Sequence, residues 1–141
     1  MVEPPSRVTR QRGEVLRAVE DELRPGEHIV AVLPFAATAR RPRGPEGKVR
    51  QGIYQSARRY RPLVATSSRL FVVNAFRTPY PRGVLADFPA SVVTILGLAS
   101  ARFGQQRLVL DLPGAGAVPF DLGRFDLVEL DAFRGAFRTP E

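Results

Sequence analysis

Residues 63–76 read LVATSSRLFVVNAF. Two runs rich in β-branched and aromatic side chains flank TSSR at 66–69, a polar break of hairpin length. The stretch predicts two antiparallel strands, 63–66 and 69–76, with Thr66 and Arg69 flanking a tight turn. Register matters here, because a slip of one residue would turn every inward side chain outward. Thr66 and Arg69 are therefore expected to serve the fold.

The same grammar extends in both directions. Upstream, HIVAVLPF at 28–35 is apolar and β-rich. Downstream, TPYPRG at 78–83 is a turn leading to a strand at 84–88, Pro89 breaks it, and 92–98 resumes. In 107–112, Leu108, Leu110 and Leu112 share one face. PGAGA at 113–117 then turns the chain into 118–121. Seven short strands with hairpin-length links predict an antiparallel meander that closes into a barrel or packs as two sheets.

Longer helical periods appear at the two ends. Ser6 caps a helix running to about Leu23, with Val8, Val15, Leu16, Val19 and Leu23 on its apolar stripe and Arg12, Glu20 and Glu22 facing out. RPGE at 24–27 ends it, with Pro25 and Gly26 suited to the centre of a type II turn. Residues 1–6, with Pro4 and Pro5, read as a disordered lead. Residues 124–137 predict a terminal helix with Phe125, Val128, Ala132 and Ala136 on one stripe and Leu130, Phe133 and Phe137 beside it. Asp126, Glu129 and Asp131 near its start suit the helix dipole. Three phenylalanines on one short helix imply a plug on a barrel mouth or sheet face.

At 141 residues the chain suits one core. It has no cysteine, which removes disulfides and thiolate metal sites and fits a reducing compartment. The N-terminus lacks the apolar core of a secretory signal, and the run at 29–37 is too short to span a bilayer. A cytoplasmic protein is expected. Net charge is +7, and residues 36–62 alone carry +7, with −1 before them and +1 after. Twenty of the twenty-one basic residues are arginine, so clustering carries the information, not residue identity.

Seven antiparallel strands followed by one amphipathic helix is the element order of the pleckstrin-homology-like fold. LRPGEHIVAVLPF at 23–35 resembles the Leu-x-x-Gly-Glu-strand opening of bacterial PH-like and GRAM-like domains. LVATSSRLFVV at 63–73 is similar to their second hairpin, and LADFPASVVTIL at 85–96 resembles the crossover between sheets. The resemblance covers about 22–138. It implies a mainly β barrel or roll: seven antiparallel strands capped by a C-terminal helix. The chain would divide into a lead and helix at 1–23 and a PH-like domain at 24–138. Beyond the family pattern stand the N-terminal helix and a first inter-strand loop at 36–62, long for so small a domain.

In lipid-binding relatives that loop holds a phosphorylated headgroup. By position, Arg40, Arg41, Arg43, Lys48 and Arg50 would line one wall. Arg58, Arg59 and Arg61 would mark the start of the second strand, with Arg77 and Arg82 flanking the next hairpin. Within the loop, RRPRGPEG at 40–47 is rich in Pro and Gly, whereas Val49, Ile53, Ala57 and Tyr60 permit an amphipathic helix, weakened by roughly 1 kcal/mol at Gly52.

No chemistry accompanies these residues. His28 is the sole histidine, the serines have no arranged partner, and DLPGAGAV at 111–118 joins two strands instead of opening a helix as a dinucleotide loop does. The expectation is a non-enzymatic binding module without cofactor or metal. Its partner is a protein, an anionic membrane surface or nucleic acid, for charge alone does not separate these classes. A protein partner is the leading reading, and self-association stays open.

Overall fold

The computed structural model describes residues 6–38, 59–75, 80–100 and 105–139. The lead at 1–5 lies outside them. Helix α1 (Arg7–Glu20) begins at Ser6, whose Oγ accepts from the Thr9 amide at 3.1 Å. That bond satisfies one of the donors left open at a helix start, so Ser6→Ala is expected to cost about 1 kcal/mol in urea unfolding. The helix stops at Glu20, three residues short of expectation. The turn after it forms as read: Gly26 takes φ 81°, and the Glu27 amide donates to the Arg24 carbonyl at 3.0 Å. A side chain at that φ would clash with its own backbone, which is why glycine stands there.

The strands are β1 (Ile29–Leu33), β2 (Ala37–Thr38), β3 (Arg59–Tyr60), β4 (Leu63–Thr66), β5 (Arg69–Ala75), β6 (Pro81–Pro89), β7 (Thr94–Ser100), β8 (Gln106–Leu112) and β9 (Gly116–Leu122). They form two antiparallel sheets, ordered β1-β4-β5-β6 and β3-β2-β9-β8-β7. The fold is therefore mainly β, as expected, but the sheets do not close into a barrel. β6 and β7 remain separate edges, joined through a 3₁₀ turn (Ala90–Val92) after Pro89.

The described strands number nine instead of seven because the segment read as loop contributes two short ones, β2 and β3. Pro34 lies between β1 and β2, and Pro62 between β3 and β4. Neither proline has an amide to give the ladder. The Arg61 amide bridges the gap to the Ala36 carbonyl at 2.7 Å. The chain thus passes from one sheet to the other as a single bent hairpin. Its paired ends, Ala37–Thr38 with Arg59–Tyr60, reach into the segment read as loop, and Tyr60 is a strand residue and not part of a helix. The expected helix before it lies outside the described residues.

The first sheet is covered on both faces, which explains its continuous apolar runs. Ala31, Leu33, Leu63, Ala65, Leu70 and Val72 point into the space between the sheets. The alternate residues Val32, Val64, Phe71 and Val73 meet Val15 and Val19 of α1. The N-terminal helix thus packs on the sheet. In the second sheet Leu108, Leu110 and Leu112 face the core together, joined by Val118, Phe120 and Leu122.

The terminal segment departs most from expectation. It is a 3₁₀ turn (Asp126–Val128) followed by α2 (Leu130–Gly135), only six residues long. Leu130, Phe133 and Phe137 enter the core between the sheets. Phe125 is 43% exposed, Val128 80%, and Ala132 is exposed too, so three of the four residues of the expected apolar stripe face solvent. After α2 the chain is fastened to β7, the Ile95 amide donating to the Arg138 carbonyl at 2.7 Å. Among the described residues no helix is long and apolar enough to cross a membrane.

Candidate docking groove

Two carboxylates organise the corner where the sheets, α1 and the terminal segment meet. β1 is an edge strand with outward amides. Glu129 Oε1 accepts from the Val32 amide at 3.2 Å, and Asp126 Oδ1 from the Phe35 amide at 2.8 Å. Asp126 Oδ2 also accepts from the Gly123 amide at 2.8 Å. The acids thus close a sheet edge that would otherwise stay open to pairing. Arg12 clamps Glu129 through Nε at 2.7 Å and Nη2 at 3.1 Å, which raises the pKa of its guanidinium. It therefore does not face freely outward as its place on the helix wheel suggested. Gln11 adds a bond from its amide nitrogen to the Pro34 carbonyl, 3.3 Å.

This corner shapes an open cleft of about 860 Å³ on the molecule's flank. Phe35 and Phe125 form an aromatic wall, with ring centroids 6.1 Å apart and planes tilted by 51°. Tyr60 comes from β3, and Val8 from the start of α1. Leu122 and Gly123 lie along the end of β9. Asp121 also lines the cleft, but its carboxylate is held by Arg107 Nε at 2.8 Å. Arg7 and Arg124 complete the lining, and the Arg124 guanidinium sits 4.8 Å from the Phe125 ring centroid. Leu127 and Val128, on the 3₁₀ turn that follows Phe125, are also exposed. Volume, aromatic lining and a few polar groups are the usual marks of a ligand cleft.

The basic residues singled out from the sequence fare differently. Arg40, Arg41, Arg43, Lys48, Arg50, Arg58 and Arg77 lie outside the described residues. Arg59 opens β3 opposite Thr38. Arg82 is exposed on β6. Arg61 must be corrected: it is 2% exposed, and its Nη1 donates to the Tyr60 and Ala75 carbonyls and to Asn74 Oδ1. A guanidinium spent on carbonyls beneath the bent hairpin is not a surface contact for a ligand.

Thr66 and Arg69, read as structural, occupy the other polar centre. Arg69 donates to Glu27 through Nε at 2.9 Å and Nη2 at 2.6 Å, and to Asp87 through Nη1 at 3.0 Å. Thr66 and Ser68 hydroxyls donate to Glu27 Oε2 at 2.6 and 2.7 Å. Every oxygen of Glu27 is engaged, so this cluster holds no vacancy for a ligand.

His28 is exposed at the start of β1. Among the described residues no three His, Cys, Asp or Glu side chains cluster as metal ligands would. No family model matches the chain, and no curated protein matches it either.

Proposed function

We propose that the chain is a non-catalytic binding module of pleckstrin-homology-like build that docks a segment of a protein partner. The observation that carries the reading is the cleft of about 860 Å³ walled by Phe35, Phe125, Tyr60 and Val8. Phe125 of its lining is itself exposed, as are Leu127 and Val128 on the following turn, and exposed apolar surface next to a cleft is a common mark of an interaction site. The order of antiparallel strands, ending in a core-facing helix, supports the PH-like reading. The cleft is concave and bounded by three elements, which suits an inserted side chain better than a flat bilayer.

Panning a random-peptide display library on the protein tests this. Enriched peptides are expected to lose at least ~10-fold in affinity against Phe125→Ser, the loss of one well-buried apolar contact. Phe125 is half exposed, so the substitution leaves the core intact. No enriched peptide, with sedimentation on phosphatidylserine vesicles that vanishes at high salt, would replace this reading with a membrane-binding one. Salt-sensitive retention of an oligonucleotide would replace it with nucleic-acid binding.

A further inference from the structure

The cleft's charge says more than its shape. Arg7 reaches it from the first turn of α1, and Arg124 from the turn after β9. Both are exposed, and neither forms an ion pair among the described residues. Among the described residues, by contrast, the acids around the cleft are already committed. Asp121 is held by Arg107, Asp126 accepts two backbone amides, and Glu129 is clamped by Arg12. Among the described residues, an incoming carboxylate would meet cations and committed carboxylates.

Arg124 is also coupled to the apolar wall, because its guanidinium lies over the Phe125 ring. Stacking of this kind holds a cation next to an aromatic face while leaving its outward N–H groups to donate. The charged contact and the apolar contact are therefore neighbours. A segment that fills the cleft would place residues beside its anchor against Arg124 and Arg7. The chain's net charge of +7 favours the encounter with an acidic partner over a basic one.

Resting on the docking reading above, we propose that the cleft selects an acidic protein segment: an aromatic or aliphatic anchor side chain flanked by Asp or Glu. The anchor packs against the Phe35–Phe125 wall beside Tyr60, and the flanking carboxylates pair with Arg7 and Arg124. Arginine suits that role, since its planar fork meets a carboxylate with two parallel donors.

Fluorescence anisotropy with three matched synthetic peptides tests the proposal. One has a Phe–Leu anchor flanked by Glu and Asp, one has the same anchor flanked by Lys, and one has the acids with the anchor replaced by Ser. The acidic anchored peptide is expected to bind at least ~10-fold tighter than either other, and to weaken as salt is added. The exchange Arg7→Glu with Arg124→Glu should reverse the preference towards the Lys-flanked peptide with the thermal midpoint unchanged. Equal binding of acidic and Lys-flanked anchored peptides to the unaltered protein overturns the selectivity and leaves the docking reading standing. Acidic peptides binding equally well without the anchor overturn it too, since bulk charge then suffices. If neither anchored peptide binds, the docking reading falls with it.

Discussion

Replacing Arg69 by methionine is expected to cost about 3–5 kcal/mol, the scale for removing one partner of a buried ion pair. Arg69 is 5% exposed, and the Glu27 side chain is shielded with it. Without the guanidinium, Glu27 keeps its charge in a site where only the Thr66 and Ser68 hydroxyls and the Arg24 amide still donate to it. Asp87 loses a contact and the Glu22 carbonyl loses a donor. Since a small domain is stable by only about 5–15 kcal/mol in total, the variant should sit near the edge of folding.

A double-mutant cycle separates this from mere loss of packing, which matters because Arg69 also lies over the Phe71 ring at 4.5 Å. Arg69→Met with Glu27→Leu should recover much of the loss, because no stranded charge remains. Urea unfolding of the four proteins measures the coupling. A single-mutant cost below about 1 kcal/mol would put the pair in the class of surface salt bridges and sink the interpretation.

That cluster shows how much of the fold the chain displays in its own letters. The Glu of RPGE and the Thr and Arg of TSSR are 39 and 42 residues apart, yet they are one structural device. Each was legible as a turn residue, because turns have local chemistry. That they bond to each other was not legible, because pairing depends on how β1 and β4 align. The alternating strands were equally plain: Leu108, Leu110 and Leu112 follow the pleat and face the core.

The terminal helix was legible in place but not in extent. Its apolar letters fit a helical wheel from 124 onward, but Asp126 gives its oxygens to the amides of Phe35 and Gly123. That tertiary bonding turns Phe125 and Val128 out of the core and delays α2 until Leu130. The cleft follows from the same event, so it was hidden with it. Its walls come from residues 6–8, 35, 60, 105 and 121–125, and no local pattern joins five such segments. Arg61 was hidden for a related reason. Within RRYR a charge run gives no sign of which guanidinium turns inward beneath the hairpin.

Asp126 also leads to the second large effect, an inverted response to mild acid. The residue is 0% exposed, and burial pushes its pKa from the usual 3.8 to about 6, with the amide bonds from Phe35 and Gly123 pulling the other way. In the native state it takes up a proton at a pH where the unfolded chain has none to hold. Acidification from about pH 7.5 to about pH 5 should therefore stabilise the fold by about 1.4 kcal/mol, because the native group holds an extra proton over roughly one pH unit of that interval at 1.36 kcal/mol per unit. Glu27 acts in the opposite sense. Hydrogen bonds, from Arg69 first, hold its pKa well below the usual 4.5. Its stabilising contribution is complete above the unfolded value and drains away as the pH falls towards the folded one. Together the two carboxylates set a stability maximum at about pH 4, where the gain from Asp126 and the loss from Glu27 balance. Thermal melts across pH should show it, and Asp126→Asn should flatten the alkaline side while leaving the acid limb, which belongs to Glu27. A rise between pH 7.5 and 5 that persists in Asp126→Asn would assign the titration to another group. An unaltered protein that loses stability steadily over that interval would show that the buried carboxylate does not hold its proton.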